Sequence, residues 1–209
     1  MSFYLDHVYP RLVSGLGNPQ PIRKVRETII PQAEGIVLEI GVGPGVNFAH
    51  YNPQKVRRIY ALEPNAGMIR LAEKERKQTD LNIEFLGLPG ERIPLEDDSV
   101  DTVVSTFTLC TIPSVVEALR GIGRVLRPEG KFIFFEHGIS PNVRVQQWQR
   151  LWEPILYRIF GGCRVTRDIP ALLGGSGFKV EQMESAYLTP FPKSLAYCWW
   201  GTAIQNPRD

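Results

Sequence analysis

The sequence predicts an α/β fold with a doubly wound, mostly parallel sheet and helices on both faces. Three observations carry this expectation. Short β-branched runs alternate with segments of helical period from residue 37 to residue 136. Turn chemistry separates them, at Pro31, Pro53, Pro64 and Pro128-Glu129-Gly130. A glycine-rich turn, Gly41-Val42-Gly43-Pro44-Gly45, follows the first apolar run, where a strand would pass into a helix.

The chain has 209 residues, 43% of them hydrophobic and 22% charged, enough for one domain with a sizeable core. A net charge of +2 argues for neither nucleic acid nor an anionic membrane as partner. Cys110, Cys163 and Cys198 are odd in number and far apart, with no CxxC pair. That spacing favours a reducing compartment over a disulfide framework, and no metal site is expected. Met1 to Asp6 has no basic start leading into an apolar run, so no signal peptide is expected. No stretch reaches the roughly 18 apolar residues of a membrane span, which leaves a cytoplasmic location as the expectation.

In chain order, residues 1–20, with Tyr4, His7, Tyr9 and Gly15 to Gly17, read as an irregular lead-in or short helix. Residues 1–34 together form a helical lead-in, because Pro21 suits a first helical turn and Ile22 to Ile30 can be a helix that Pro31 stops. Val37 to Ile40 is the first strand, and Asn47 to Tyr51 a short helix after the glycines. Arg58 to Glu63 is the second strand. Asn65 can cap a helix from Ala66 to Lys77. Asn82 to Leu86 and Val100 to Thr106 are strands, with the acidic tip Glu96-Asp97-Asp98 a solvated turn between them. Ser114 to Glu117 has the spacing of a capping box and opens a helix to Leu126. Lys131 to Glu136 is the fifth strand.

The pattern then changes. Apolar Val145, Trp148, Trp152, Ile155 and Ile159 recur at steps of three and four, opposite Arg144, Gln147, Arg150 and Arg158. They predict an amphipathic helical insert within residues 141–168, kinked or split at Pro154. A short helix at Asp168 to Leu173 and strands at Phe178 to Ala186 and Ser194 to Ile204 complete a single domain, residues 1–209.

The glycine turn departs from the dinucleotide fingerprint, since Val46 occupies its third small-residue position. It lacks the Gly-Lys-Ser/Thr of a Walker loop. What stands is acid-x-Gly-x-Gly-x-Gly from Glu39, and here the chain resembles the class I S-adenosylmethionine-dependent methyltransferases of the type 11 group. The resemblance implies a Rossmann-like seven-stranded sheet with an antiparallel last strand, and S-adenosylmethionine as cofactor. It assigns Glu39, Gly41, Gly43 and Gly45 to the cofactor loop. Glu63 with Pro64, ending the second strand, suits the ribose hydroxyls or is a surface acid. Met68 falls beside the adenine or is plain core. Pro89 and Gly90 stand where the family carries an Asp-Ala pair, so backbone groups of Gly90 and Glu91 would meet the adenine. Thr106 and Thr108 would line the methionine portion.

Three further patterns narrow the resemblance: Thr108-Leu109-Cys110, Phe135-Glu136-His137, and Gly161-Gly162-Cys163-Arg164-Val165-Thr166-Arg167. With Val37 to Phe48 and Val125 to Pro128, they resemble the methyltransferase-like alkyl-thiol S-methyltransferases of animals. That implies a small apolar methyl acceptor, a thiol in first place. Quinone carbons, phospholipid amines and arsenite are alternatives, as is a catalytically silent cofactor-binding domain. His137 is the candidate catalytic base, since imidazole exchanges protons near neutral pH; the other reading is a ring bonded to nearby backbone. Glu136 could orient it. Trp148 and Trp152 are candidate substrate residues on a lid, or core cover. The acceptor and the oligomeric state are left open.

Overall fold

The computed structural model describes residues 4–16, 18–188 and 190–207; the readings made above at Met1 to Phe3 and Gly17 fall outside them. Its centre is a seven-stranded sheet in the order β3-β2-β1-β4-β5-β7-β6. The strands are β1 (Gly35–Ile40), β2 (Val56–Leu62), β3 (Ile83–Leu86), β4 (Val100–Thr106), β5 (Leu126–His137), β6 (Phe178–Tyr187) and β7 (Tyr197–Gln205). The pairs among β1 to β5 are parallel, and β7 runs antiparallel to both β5 and β6. The helices are α1 (Tyr9–Leu16), α2 (Gln20–Ile29), α3 (Ala66–Arg76), α4 (Val115–Val125), α5 (Val143–Ile159), α6 (Ile169–Gly175) and α7 (Lys193–Ala196).

Because side chains alternate along a strand, the apolar runs of the parallel strands serve two cores at once. On one face Val37, Ala61, Val104 and Phe135 pack with Ile22, Val25 and Ile29 of α2 and Ala72 of α3. On the other, Leu38, Ile40, Val103 and Phe134 pack with Leu119 and Ile122 of α4 and Leu173 of α6. That is the doubly wound arrangement.

The elements lie close to the sequence expectation, with five corrections. Pro128-Glu129-Gly130 does not separate α4 from the fifth strand, because β5 runs from Leu126 through these residues to His137. Residues 47–51 contain only a 3-10 turn, Phe48–His50. Ser114 precedes α4 but makes no side-chain cap bond, so the capping box is not formed. Residues 193–196 are the short helix α7 and the last strand begins at Tyr197, not Ser194. The insert is one helix that continues through Pro154, so it is not split there. Asn65 does cap α3, accepting from Met68 N at 3.0 Å.

The apolar stripe of α5 is where local pattern and packing disagree. Trp148, Trp152, Ile155 and Ile159 are exposed, by 56% for Trp148, whereas Gln149 and Leu156 are buried. The polar Gln149 is drawn inside because unpaired backbone awaits it there. Its Nε2 donates to Gly138 O and Val165 O, and its Oε1 accepts from Ser140 N. Glu153 on the same face accepts from Thr166 N and Oγ1. No helix among the described residues is long and apolar enough to cross a membrane.

Candidate active site

A cavity of about 440 Å³ opens at the carboxyl ends of the parallel strands, where open α/β sheets bind ligands. Its walls come from the loops after β1, β2, β4 and β5, with Tyr9 and Arg26 from the helical lead-in and Leu156 from α5. The sheet order sets its two ends. The loops of β1 and β2 form one, the β5 terminus and the loop after α5 form the other, and the turn after β4 lies between them.

At the first end, Gly41, Gly43 and Gly45 all have positive φ, but only Gly43 faces open space. A Cβ on Gly43 would meet nothing nearer than Gly41 O at 4.0 Å and would project into the cavity that the residue lines. On Gly41 a Cβ would overlap Thr108, and on Gly45 it would press on Ala72 Cα at 3.0 Å. Glu63 fastens this turn: its Oε2 accepts from Gly43 N at 2.9 Å and its Oε1 from Asn65 N at 2.9 Å. Each oxygen retains a second lone pair, and the residue lines the cavity. Burial pushes its carboxyl above the ordinary range, against the pull of those two bonds. Gly41, Pro64, Met68, Gly90, Glu91, Thr106 and Thr108 line the same cavity.

Glu39 does not line it. The side chain points into the core at 0% exposure, accepting from Asn47 Nδ2 at 2.7 Å and Tyr51 OH at 2.8 Å. It braces the chain that follows the glycines, and burial pushes its carboxyl up to about 7. Glu39 thus supports the glycine turn from beneath and is not part of the cavity wall. Gly45 also stays outside the lining, as a packing glycine.

Sequence reasoning missed Arg26, a charged residue in a helix that would pass for a solvated face. It lines the cavity at 3% exposure. Its Nη1 donates to Asn47 Oδ1 at 2.8 Å and Thr106 Oγ1 at 3.1 Å, and its guanidinium lies over Phe107 at 5.4 Å. Its Nε has no hydrogen-bond partner among the described residues. Burial lowers its pKa to about 10, so it stays cationic at neutral pH. Arg26 therefore brings a buried positive charge to the cavity wall that also carries the glycine turn and Glu63.

At the second end, three side chains meet. Cys110 Sγ lies 3.6 Å from Cys163 Sγ, which lies 3.8 Å from His137 Nδ1. All three line the cavity. His137 ends β5 and packs on Phe107 with ring centroids 4.5 Å apart. Glu136 does not orient it. That carboxylate is fully buried on the opposite side of the strand, accepting from Ser105 Oγ and from the backbone N–H of Thr108, Leu109 and Cys110. It builds the turn that presents Thr108 and Cys110. Arg164 N donates to Cys110 O at 2.8 Å, and the Arg167 guanidinium donates to Leu109 O and Ile112 O. Gly161 and Gly162, at φ 61° and 97°, turn the chain inward ahead of Cys163. Within the thiol pair, the hydrogen bond with Cys110 and the neighbouring His137 push Cys163 down, and the same contact pushes Cys110 up. Trp148 and Trp152 do not reach this end; Leu156, Phe160 and Leu195 do.

The sequence profile of the methyltransferase domain family matches residues 38–134. Human thiol S-methyltransferase TMT1B is 36% identical over 152 residues, 71% of this chain and 62% of the relative. Human thiol S-methyltransferase TMT1A is 34% identical, over 66% of this chain and 57% of its own length. The matches thus span less than two thirds of these relatives. The YcgJ protein of Bacillus subtilis superposes with a TM-score of 0.67 at 16% identity, covering 90% of this chain and 99% of its own. A SAM-dependent methyltransferase from Aquifex aeolicus superposes at 0.65 and 19% identity, covering 94% and 98%. Residues 38–134 belong to the methyltransferase domain family, within a chain that has the fold of S-adenosylmethionine-dependent methyltransferases.

Proposed function

We propose that this chain is a single-domain methyltransferase that transfers a methyl group from S-adenosylmethionine to a small apolar thiol. The observation that carries the reading is the cavity's division. A glycine turn with Glu63 and Arg26 occupies one end, and a Cys110–His137–Cys163 group with apolar Leu156, Phe160 and Leu195 occupies the other. The thiol S-methyltransferases among the relatives support the choice of acceptor.

When bound, the cofactor supplies an electrophilic methyl group on a sulfonium sulfur. The chain aligns and shields it. Gly43 lets the backbone approach, and Glu63 offers its free lone pairs to the ribose hydroxyls. Arg26 holds the carboxylate, and Met68, Gly90 and Glu91 take the adenine side. Thr106 and Thr108 line the methionine portion. Tyr9 and Phe191 cover the cavity, and His137 is the residue that acts on the acceptor. Leu156 replaces the two tryptophans as the acceptor contact from α5.

The three cysteines are free, in keeping with a cytoplasmic location. The small net charge supports a small-molecule acceptor rather than nucleic acid. The test is methyl transfer from labelled cofactor to a panel of alkyl thiols, quinols, amines and arsenite. Preferred labelling of thiols is expected. Labelling of another class, or cofactor binding with no transfer to any, would overturn the reading.

A further inference from the structure

Cys110, His137 and Cys163 come from the turn after β4, the end of β5 and the loop after α5. Their ligating atoms all lie within 4.8 Å of one another. In a tetrahedral zinc site with Zn–S about 2.3 Å and Zn–N about 2.0–2.1 Å, ligand edges are about 3.8 Å for sulfur–sulfur and about 3.6 Å for sulfur–nitrogen. The separations here are 3.6 Å for Cys110 Sγ to Cys163 Sγ and 3.8 Å for Cys163 Sγ to His137 Nδ1. Two of the three edges thus match a tetrahedral site, and the third, Cys110 to His137, is at most 4.8 Å and closes by a side-chain shift of about 1 Å or less. Two sulfurs and one imidazole are a donor set that suits zinc, and three protein ligands leave the fourth position for water or substrate.

The surroundings hold the ligands in place. Glu136 accepts from Cys110 N, Arg164 N donates to Cys110 O, and Arg167 pins the same turn through Leu109 O and Ile112 O. Cys163 sits just past the Gly161-Gly162 turn. All three ligands border the cavity, so an ion here would be reached from the side where the acceptor lies.

We propose that Cys110, His137 and Cys163 hold a zinc ion whose fourth position takes the sulfur of the acceptor. The acceptor part of this proposal rests on the thiol reading above. Each cysteine releases its proton as its Zn–S bond forms, and His137 binds through the Nδ1 lone pair. The acceptor R–SH then loses its proton to solvent as its sulfur forms the fourth bond. It is presented to the methyl group as a thiolate with no side-chain base required. His137 acts on the acceptor as a ligand of the ion.

The experiment measures zinc per chain by elemental analysis after purification under reducing conditions, and zinc affinity by competition with a chromophoric chelator. One zinc per chain is expected, with affinity at least about tenfold weaker in Cys110→Ser and Cys163→Ser. Cys198→Ser should leave it unchanged. S-adenosylhomocysteine binding by each variant reports that it has folded. In the cobalt-substituted chain, an alkyl thiol should shift the visible ligand-field bands and the matching alcohol should not. Zinc well below one per chain, or equal affinity in Cys163→Ser, overturns the site. Full thiol methylation by the chelated, metal-free chain overturns the metal and leaves the thiol reading standing. Bound zinc with no thiol-dependent shift overturns the ion's acceptor role, and a panel that labels no thiol overturns the thiol reading independently.

Discussion

Cys110 and Cys163 stand 53 residues apart in the chain, yet their Sγ atoms are 3.6 Å apart at the wall of the cavity. The contact exists because Glu136 shapes the turn after β4 while Gly161 and Gly162 reverse the chain after α5. It places the two thiols at the β5 end of the cavity, across from the glycine turn at the β1 and β2 end.

The glycine turn predicts cofactor affinity. Glu63→Ala removes a carboxylate that accepts from two backbone N–H groups, each bond worth about 1.5–3 kcal/mol. Gly43→Val adds bulk in the cavity at a φ of 57°. Calorimetric titration with S-adenosylhomocysteine should show at least about tenfold weaker binding in each. Unchanged affinity in both would remove this turn from the site.

Arg26 predicts a charge requirement. Arg26→Met keeps much of the length of a buried side chain but leaves a cofactor carboxylate unpaired. Affinity for S-adenosylhomocysteine should fall about tenfold or more, a charged hydrogen bond being worth about 1.5–3 kcal/mol. Affinity for adenosine, which has no carboxylate, should fall far less. Equal losses for both ligands would assign Arg26 to packing alone.

Glu39 predicts a pH dependence of stability. Burial pushes its carboxyl up to about 7, so between the ordinary range near 4.5 and that value the unfolded chain ionises first. Rising pH therefore favours unfolding across this window, by an amount on the order of 3 kcal/mol. Below the window both states are protonated and the cost is absent. Glu39→Gln retains polar partners for Asn47 and Tyr51 and removes the titration. Its melting temperature should exceed that of the parent at pH 8, and the gap should close as pH falls toward 4.5. A gap that is constant with pH would refute the assignment.

The insert predicts a contrast within one helix. Trp148→Ala should leave stability within about 0.5 kcal/mol and acceptor KM unchanged, because the side chain is 56% exposed and outside the cavity wall. Gln149→Ala strands Gly138 O, Val165 O and Ser140 N, and should cost on the order of 2–4 kcal/mol in chemical denaturation. Leu156→Ala should raise acceptor KM more than it weakens cofactor binding. A large effect of Trp148→Ala on acceptor KM would restore the tryptophan face as the lid.

The sequence by itself determined the strand–helix alternation, the glycine turn and its acids. These depend on local periodicity and on backbone angles that few residues other than glycine tolerate, so a single stretch carries them. The match of β4 to Val100–Thr106 is of this kind. Only the tertiary structure decided which way each side chain points. Glu39 and Glu63 both follow apolar strand residues, but one turns into the core toward Tyr51 while the other meets Gly43 at the rim. The α5 stripe had a legible period, yet which face packs depends on the unpaired backbone waiting at Gly138 and Val165. Arg26 and the Cys110–His137–Cys163 group are long-range: their positions follow from the sheet order and the loops that cross its end. No spacing along the chain encodes a distance that the packing of seven strands creates.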